Sequence, residues 1–227
     1  MEHDACGVGL IASTEGKKSR KVVEHGINAL KAVWHRGAVD ADGKTGDGAG
    51  IHLEIPSDFF TEKIELTGHK HDGSDICVGM IFLPRNNYSA QENSRTLVES
   101  ELTKSNFSIY GWRQVPVNPK VLGEKANLTR PEITQVLFKH NDKTLTGKDL
   151  ERKIYESRRK IEKESIKNAI EGFYICSLSS KSIIYKGMFL AESIAEFYLD
   201  LKDERFISRF VIFHQRFSTN TAPSWDL

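Results

Sequence analysis

Residues 6–12 read Cys-Gly-Val-Gly-Leu-Ile-Ala, a short apolar run of small and branched side chains that predicts a buried strand near the start of the chain. Working outward, Val22, Val23, Ile27, Leu30, Val33 and Trp34 recur at helical spacing, and the pattern ends in residues 36–50, RGAVDADGKTGDGAG. Five glycines in those fifteen residues predict a loop. Residues 51–55 alternate as a strand stopped by Pro56, and residues 76–83 (ICVGMIFL) form a continuous apolar run stopped by Pro84, the signature of a central strand.

Helical periodicity returns weakly over 89–104. Residues 107–117 and 133–139 read as strands joined by a loop carrying Pro116, Pro119 and Pro131. Residues 146–168 give the clearest helix, with Leu150, Ile154 and Ile161 on one face and Thr146 placed to cap it. The charges of that helix alternate in sign and suit a solvated face. Residues 173–178 and 182–185 read as a hairpin, 192–201 as a short helix, and 210–213 as a last strand leading into 214–220. Strands and helices come in runs, without the strict alternation of βαβ units, so the fold class is α+β with antiparallel sheets covered by helices.

The bulk composition narrows the function. The chain has 227 residues, 39% apolar and 28% charged, which fits one globular domain. Its 32 Lys and Arg nearly cancel its 31 Asp and Glu, so no electrostatic footprint for nucleic acid or an anionic membrane is expected. Neither a secretory signal nor a membrane-length apolar run is present, which points to the cytoplasm. Cys6, Cys77 and Cys176 are odd in number and far apart, arguing against a disulfide framework or a cysteine zinc site.

Cys6 taken alone fits a buried structural thiol, the ordinary use of the residue. Its position adds a second reading. A cysteine exposed as the N-terminal residue by removal of a short leader can use its own α-amine as general base for its thiol. Gly7 and Gly9 would let backbone and substrate approach that sulfur closely.

Four segments, DACGVGLIA (4–12), HRGAVDADGKTGDGAGI (35–51), YKGM (185–188) and FHQRFSTNTAPSW (213–225), resemble in order and spacing the type 2 glutamine amidotransferase domain at the N-terminus of glutamate synthase large subunits. The resemblance implies an N-terminal-nucleophile hydrolase fold, a four-layer αββα sandwich, incomplete at the C-terminus. Residues 1–5 would be a leader removed on maturation and 6–227 the N-terminal portion of the amidotransferase domain.

By the same resemblance, Cys6 matches the nucleophile, Arg36 an arginine that organises the site beside it, and Arg216 and Thr219 the pair that grips the α-carboxylate of L-glutamine. A guanidinium fork suits that carboxylate. Residues 46–50 would shape the pocket wall; they lack the spacing of a phosphate loop. The reaction implied is hydrolysis of glutamine to glutamate and ammonia through a cysteinyl thioester, the ammonia then being used with 2-oxoglutarate to make glutamate. FMN and an iron–sulfur cluster are implied for the full-length protein but not for this chain. The partners implied are the remaining synthase domains and a small electron-donor subunit. The family continues into an oxyanion-hole segment past residue 225, so the isolated chain is expected to be inactive. Another N-terminal-nucleophile amidotransferase, or a non-catalytic module of the same fold, are the alternatives.

Overall fold

The computed structural model describes residues 7–216 and 222–226. The chain divides into two compact units. One gathers the described residues of Met1–Pro56, Pro116–Arg130 and Ile184–Leu227; the other comprises Ser57–Val115 and Pro131–Ile183.

The first unit is built on a four-stranded sheet of β1 (Gly7–Ala12), β2 (Thr45–Glu54), β7 (Ser182–Phe189) and β8 (Phe210–Gln215), ordered β1-β8-β2-β7. β8 runs antiparallel to both neighbours, pairing Gly7 with Gln215 on one side and Ala49 with Gln215 on the other. Helix α1 (Arg20–Ala32) starts where Ser19 accepts a hydrogen bond from the backbone N–H of Val22, and it buries Val22, Val23, Ile27 and Leu30. It packs on β8 and β1.

β1 is an edge strand, and the burial expected of it holds for Gly7 alone, with Gly9 and Ile11 half-buried. Val8 and Leu10 are 69% and 61% exposed. The glycine-rich stretch also departs from expectation: the loop ends at Lys44, and residues 45–50 belong to β2 and are buried. The glycines permit strand packing where a side chain would not fit. A Cβ on Gly46 would lie 2.6 Å from the carbonyl oxygen of Phe189.

The second unit carries the sheet β4-β5-β3-β6, formed by β3 (Cys77–Leu83), β4 (Phe107–Gln114), β5 (Glu132–His140) and β6 (Tyr174–Ser179), with its recorded pairings antiparallel. β3 is interior and wholly buried, as its unbroken apolar run predicts. Helices α3 (Tyr88–Lys104) and α5 (Gly147–Lys167) pack against each other and cover the sheet with Val98, Leu102, Leu150, Ile154 and Ile161. Thr146 occupies the cap position of α5 but makes no side-chain capping bond.

Other sequence readings change as well. Helix α2 (Ser57–Glu65) was not expected; it buries Phe59, Phe60 and Ile64. The proline-rich connection holds a short helix, α4 (Glu124–Leu128). β6 and β7 are not a hairpin, since each joins a different sheet. Residues 192–201, read as one helix, are broken into 3-10 turns around α6 (Ile194–Phe197).

Candidate active site

Of the four predicted site residues, the structure describes Arg36 and Arg216, and both lie near the strand ends around Gln215. The backbone of Gly7, which follows Cys6, lies beside Gln215 in the β1–β8 ladder. Arg36 closes a 3-10 turn, Trp34–Arg36, directly after α1. Its side chain is exposed, but its stem lies over Gly7: a Cβ built there would sit 3.2 Å from Arg36 Cβ and 3.3 Å from Cγ. Arg216 leaves β8 in the left-handed region, at φ 75°, and its backbone N–H donates to the carbonyl of Gly48 at 2.7 Å. Cys6 and Thr219 lie outside the described residues.

Beside Arg216 lies a group within the 46–50 stretch expected to shape the pocket wall, but not singled out there. Asp47, on β2, has a side chain only 4% exposed, and its Oδ2 stands 3.1 Å from Arg216 Nε. The approach makes an ion pair without a well-directed hydrogen bond: Oδ1 and Oδ2 of Asp47 and Nε of Arg216 are all buried and lack hydrogen-bond partners. Burial pushes the Asp47 carboxyl above its ordinary value, outweighing the Arg216 charge beside it. Burial likewise holds His214 below the usual histidine range, against the pull of Asp47.

Gln215 completes this floor. It is fully buried, and neither its Oε1 nor its Nε2 has a hydrogen-bond partner. A Cβ on Gly37 would come within 2.0 Å of Gln215 Nε2 and 3.3 Å of Asp47 Oδ1, so both groups reach the space that the absent side chain leaves. Buried polar atoms are seldom left unpaired unless a site has a use for them. The clue in the sequence was a lone acidic residue inside GDGAG; it was masked because five glycines suggested a solvated loop.

The end of the sheet that pairs Gly7 with Gln215 thus also carries Arg36 and Arg216. The chain belongs to the glutamine amidotransferases class-II family, which it matches over residues 6–227. The mixed helices and two antiparallel sheets agree with the hydrolase fold expected for that family.

Among its relatives, the glutamate synthase [NADPH] large chain of Azospirillum brasilense is 57% identical over 226 residues, covering all of this chain and 15% of that protein. Ferredoxin-dependent glutamate synthase 2 of Synechocystis sp. is 41% identical over 227 residues, again all of this chain and 14% of the relative. The chloroplastic ferredoxin-dependent enzyme of Spinacia oleracea is 39% identical over 228 residues, with the same coverage. The chain thus spans about a seventh of the length of the curated relatives it matches.

Proposed function

We propose that this chain is the glutamine-hydrolysing domain of a glutamate synthase large subunit. The observation that carries the reading is the pairing of Gly7 with Gln215, since it brings the residue after the nucleophile alongside the residue before Arg216. Nucleophile and carboxylate grip then issue from adjacent strand ends, as acyl transfer from a small amino acid amide requires.

In this reading residues 1–5 are removed and the α-amine of Cys6 takes the thiol proton. The sulfur adds to the side-chain amide carbon of glutamine. The C–N bond breaks with the proton passing to the departing nitrogen, which leaves as ammonia. Water then cleaves the glutamyl thioester, giving glutamate and the free thiol. Arg36 organises the nucleophile's surroundings, and its stem against Gly7 supports that role. Arg216 and Thr219 receive the α-carboxylate, with charged hydrogen bonds of about 1.5–3 kcal/mol each.

The ammonia is used with 2-oxoglutarate elsewhere in the full-length protein. No group of three or more His, Cys, Asp or Glu among the described residues is placed to hold a metal ion, and Cys77 and Cys176 are both buried. We assign the FMN and iron–sulfur cluster implied by the resemblance to other domains of the full-length protein, with a small electron-donor subunit as a further partner. Among the described residues no helix is long and apolar enough to cross a membrane.

Ammonia release from L-glutamine by the full-length protein tests the reading. Cys6→Ala is expected to abolish it, and intact-mass analysis of the active protein should show residues 1–5 gone. Undiminished glutaminase in Cys6→Ala, or an active protein retaining those residues, would overturn it.

A further inference from the structure

We propose that Asp47 is a positioning residue for substrate binding: it holds the Nε edge of Arg216 from below, so that the terminal guanidinium nitrogens face the α-carboxylate of glutamine. The inference rests on the glutaminase reading above and extends it to a residue that this reading does not use.

Three observations carry it. First, Arg216 is anchored at both ends to consecutive residues of β2: its backbone N–H bonds Gly48, and its Nε lies 3.1 Å from Asp47 Oδ2. Second, Nε is buried while the side chain as a whole keeps 28% of its surface, so the accessible part of Arg216 belongs to other atoms. Third, the floor is polar. The oxygens of Asp47, ion-paired to Arg216, and both amide atoms of Gln215 are buried without a directed side-chain hydrogen bond beside Gly37, an arrangement suited to an incoming polar ligand.

Two effects of Asp47 oppose each other. Its charge repels a second carboxylate across the guanidinium, which weakens binding. Its fixed position removes the rotational freedom of a long side chain, which strengthens binding of a planar, bidentate partner. The burial of Asp47 and the double anchoring of Arg216 favour orientation, and the two effects predict opposite signs for a charge-removing variant.

The test compares full-length wild type, Asp47→Asn and Asp47→Glu. The substrates are L-glutamine and 4-aminobutanamide, which is glutamine without its α-carboxylate. Asp47→Asn is expected to raise KM for glutamine about tenfold or more, with kcat within about threefold of wild type. The kcat/KM preference for glutamine over 4-aminobutanamide should shrink by the same factor, and Asp47→Glu should restore part of it. A merely structural role would lower both substrates alike and leave the preference unchanged, which would overturn the proposal; so would a lower KM for glutamine in Asp47→Asn. If that variant does not fold, the preference ratio of Asp47→Glu decides: a ratio equal to wild type with KM unchanged also overturns it. Wild-type protein that releases no ammonia from glutamine would defeat the glutaminase reading itself, and this inference with it.

Discussion

Glu54 clasps Arg209 from three directions. Nε and Nη2 of Arg209 donate to Oε1 at 3.0 and 2.6 Å, and the Arg209 backbone N–H donates to Oε2 at 2.7 Å. The carboxylate is almost wholly buried while the guanidinium is half exposed. Burial alone would raise the Glu54 pKa, but the Arg209 donors and the nearby Lys18 charge outweigh it and hold the group below its ordinary value.

A depressed folded-state pKa means that the unfolded chain takes up the proton first as pH falls. The stabilisation from Glu54 is therefore complete above about pH 4.3 and is lost as pH drops through the lower folded value. Thermal midpoints of wild type and Glu54→Gln, measured from pH 7 to pH 3, are expected to converge in the acid range. A gap that stays constant throughout would show that the loss is one of packing.

Asp47 has the opposite sign. Its pKa is raised by burial, so its charge weakens the fold as pH rises above the ordinary aspartate value of about 3.9. Asp47→Asn is expected to match or exceed the thermal midpoint of wild type at pH 7 and to lose that advantage near pH 4. A large drop at pH 7 would mark the carboxylate as a structural support.

Gly37 has an ordinary backbone, with φ −88°, so replacing it costs sterically and not conformationally. Gly37→Ala puts a methyl 2.0 Å from Nε2 of Gln215, a fully buried side chain whose backbone is paired with β1 and β2. The variant is expected to lose about 1–3 kcal/mol in denaturant titrations. In the full-length protein, the proposed glutaminase activity should fall further than that loss explains. Wild-type activity would place Gln215 outside the site.

Trp225 ties the last described residues to α4. It is 6% exposed, packs on Phe189 and Phe197, and donates its indole N–H to the carbonyl of Ala126 at 3.1 Å. Trp225→Phe is expected to cost about 1–3 kcal/mol through the buried carbonyl left unpaired, and Trp225→Ala about 3–5 kcal/mol through the cavity. Equal losses in the two variants would assign the whole effect to the hydrogen bond.

Long, strongly patterned elements are legible in the amino-acid sequence itself. The unbroken run of β3 and the amphipathic faces of α1 and α5 lie where periodicity puts them. What escapes such a reading is decided by tertiary packing. Residues 45–50 look like a loop because glycine is permissive, yet Phe189 needs that absence of side chains to approach β2. Residues 173–185 look like a hairpin because only a short serine-rich turn separates two apolar runs. In the fold, Glu151 binds the hydroxyls of Ser179 and Ser180, and the two strands join different sheets. Of the proposed site, Arg36 and Arg216 lie in recognisable motifs, whereas Asp47 and Gln215 stand out only through burial without a directed hydrogen bond.

β8 separates β1 from β2, and it is encoded after both by well over a hundred residues. While the polypeptide is being synthesised, β1 emerges first and waits, since the strand it pairs with is Phe210–Gln215. The ladder that aligns Gly7 with Gln215 closes only when nearly all of this chain has left the ribosome. The alignment of Gly7 beside Gln215 is therefore timed by translation, and it is complete only once the last strand has been made.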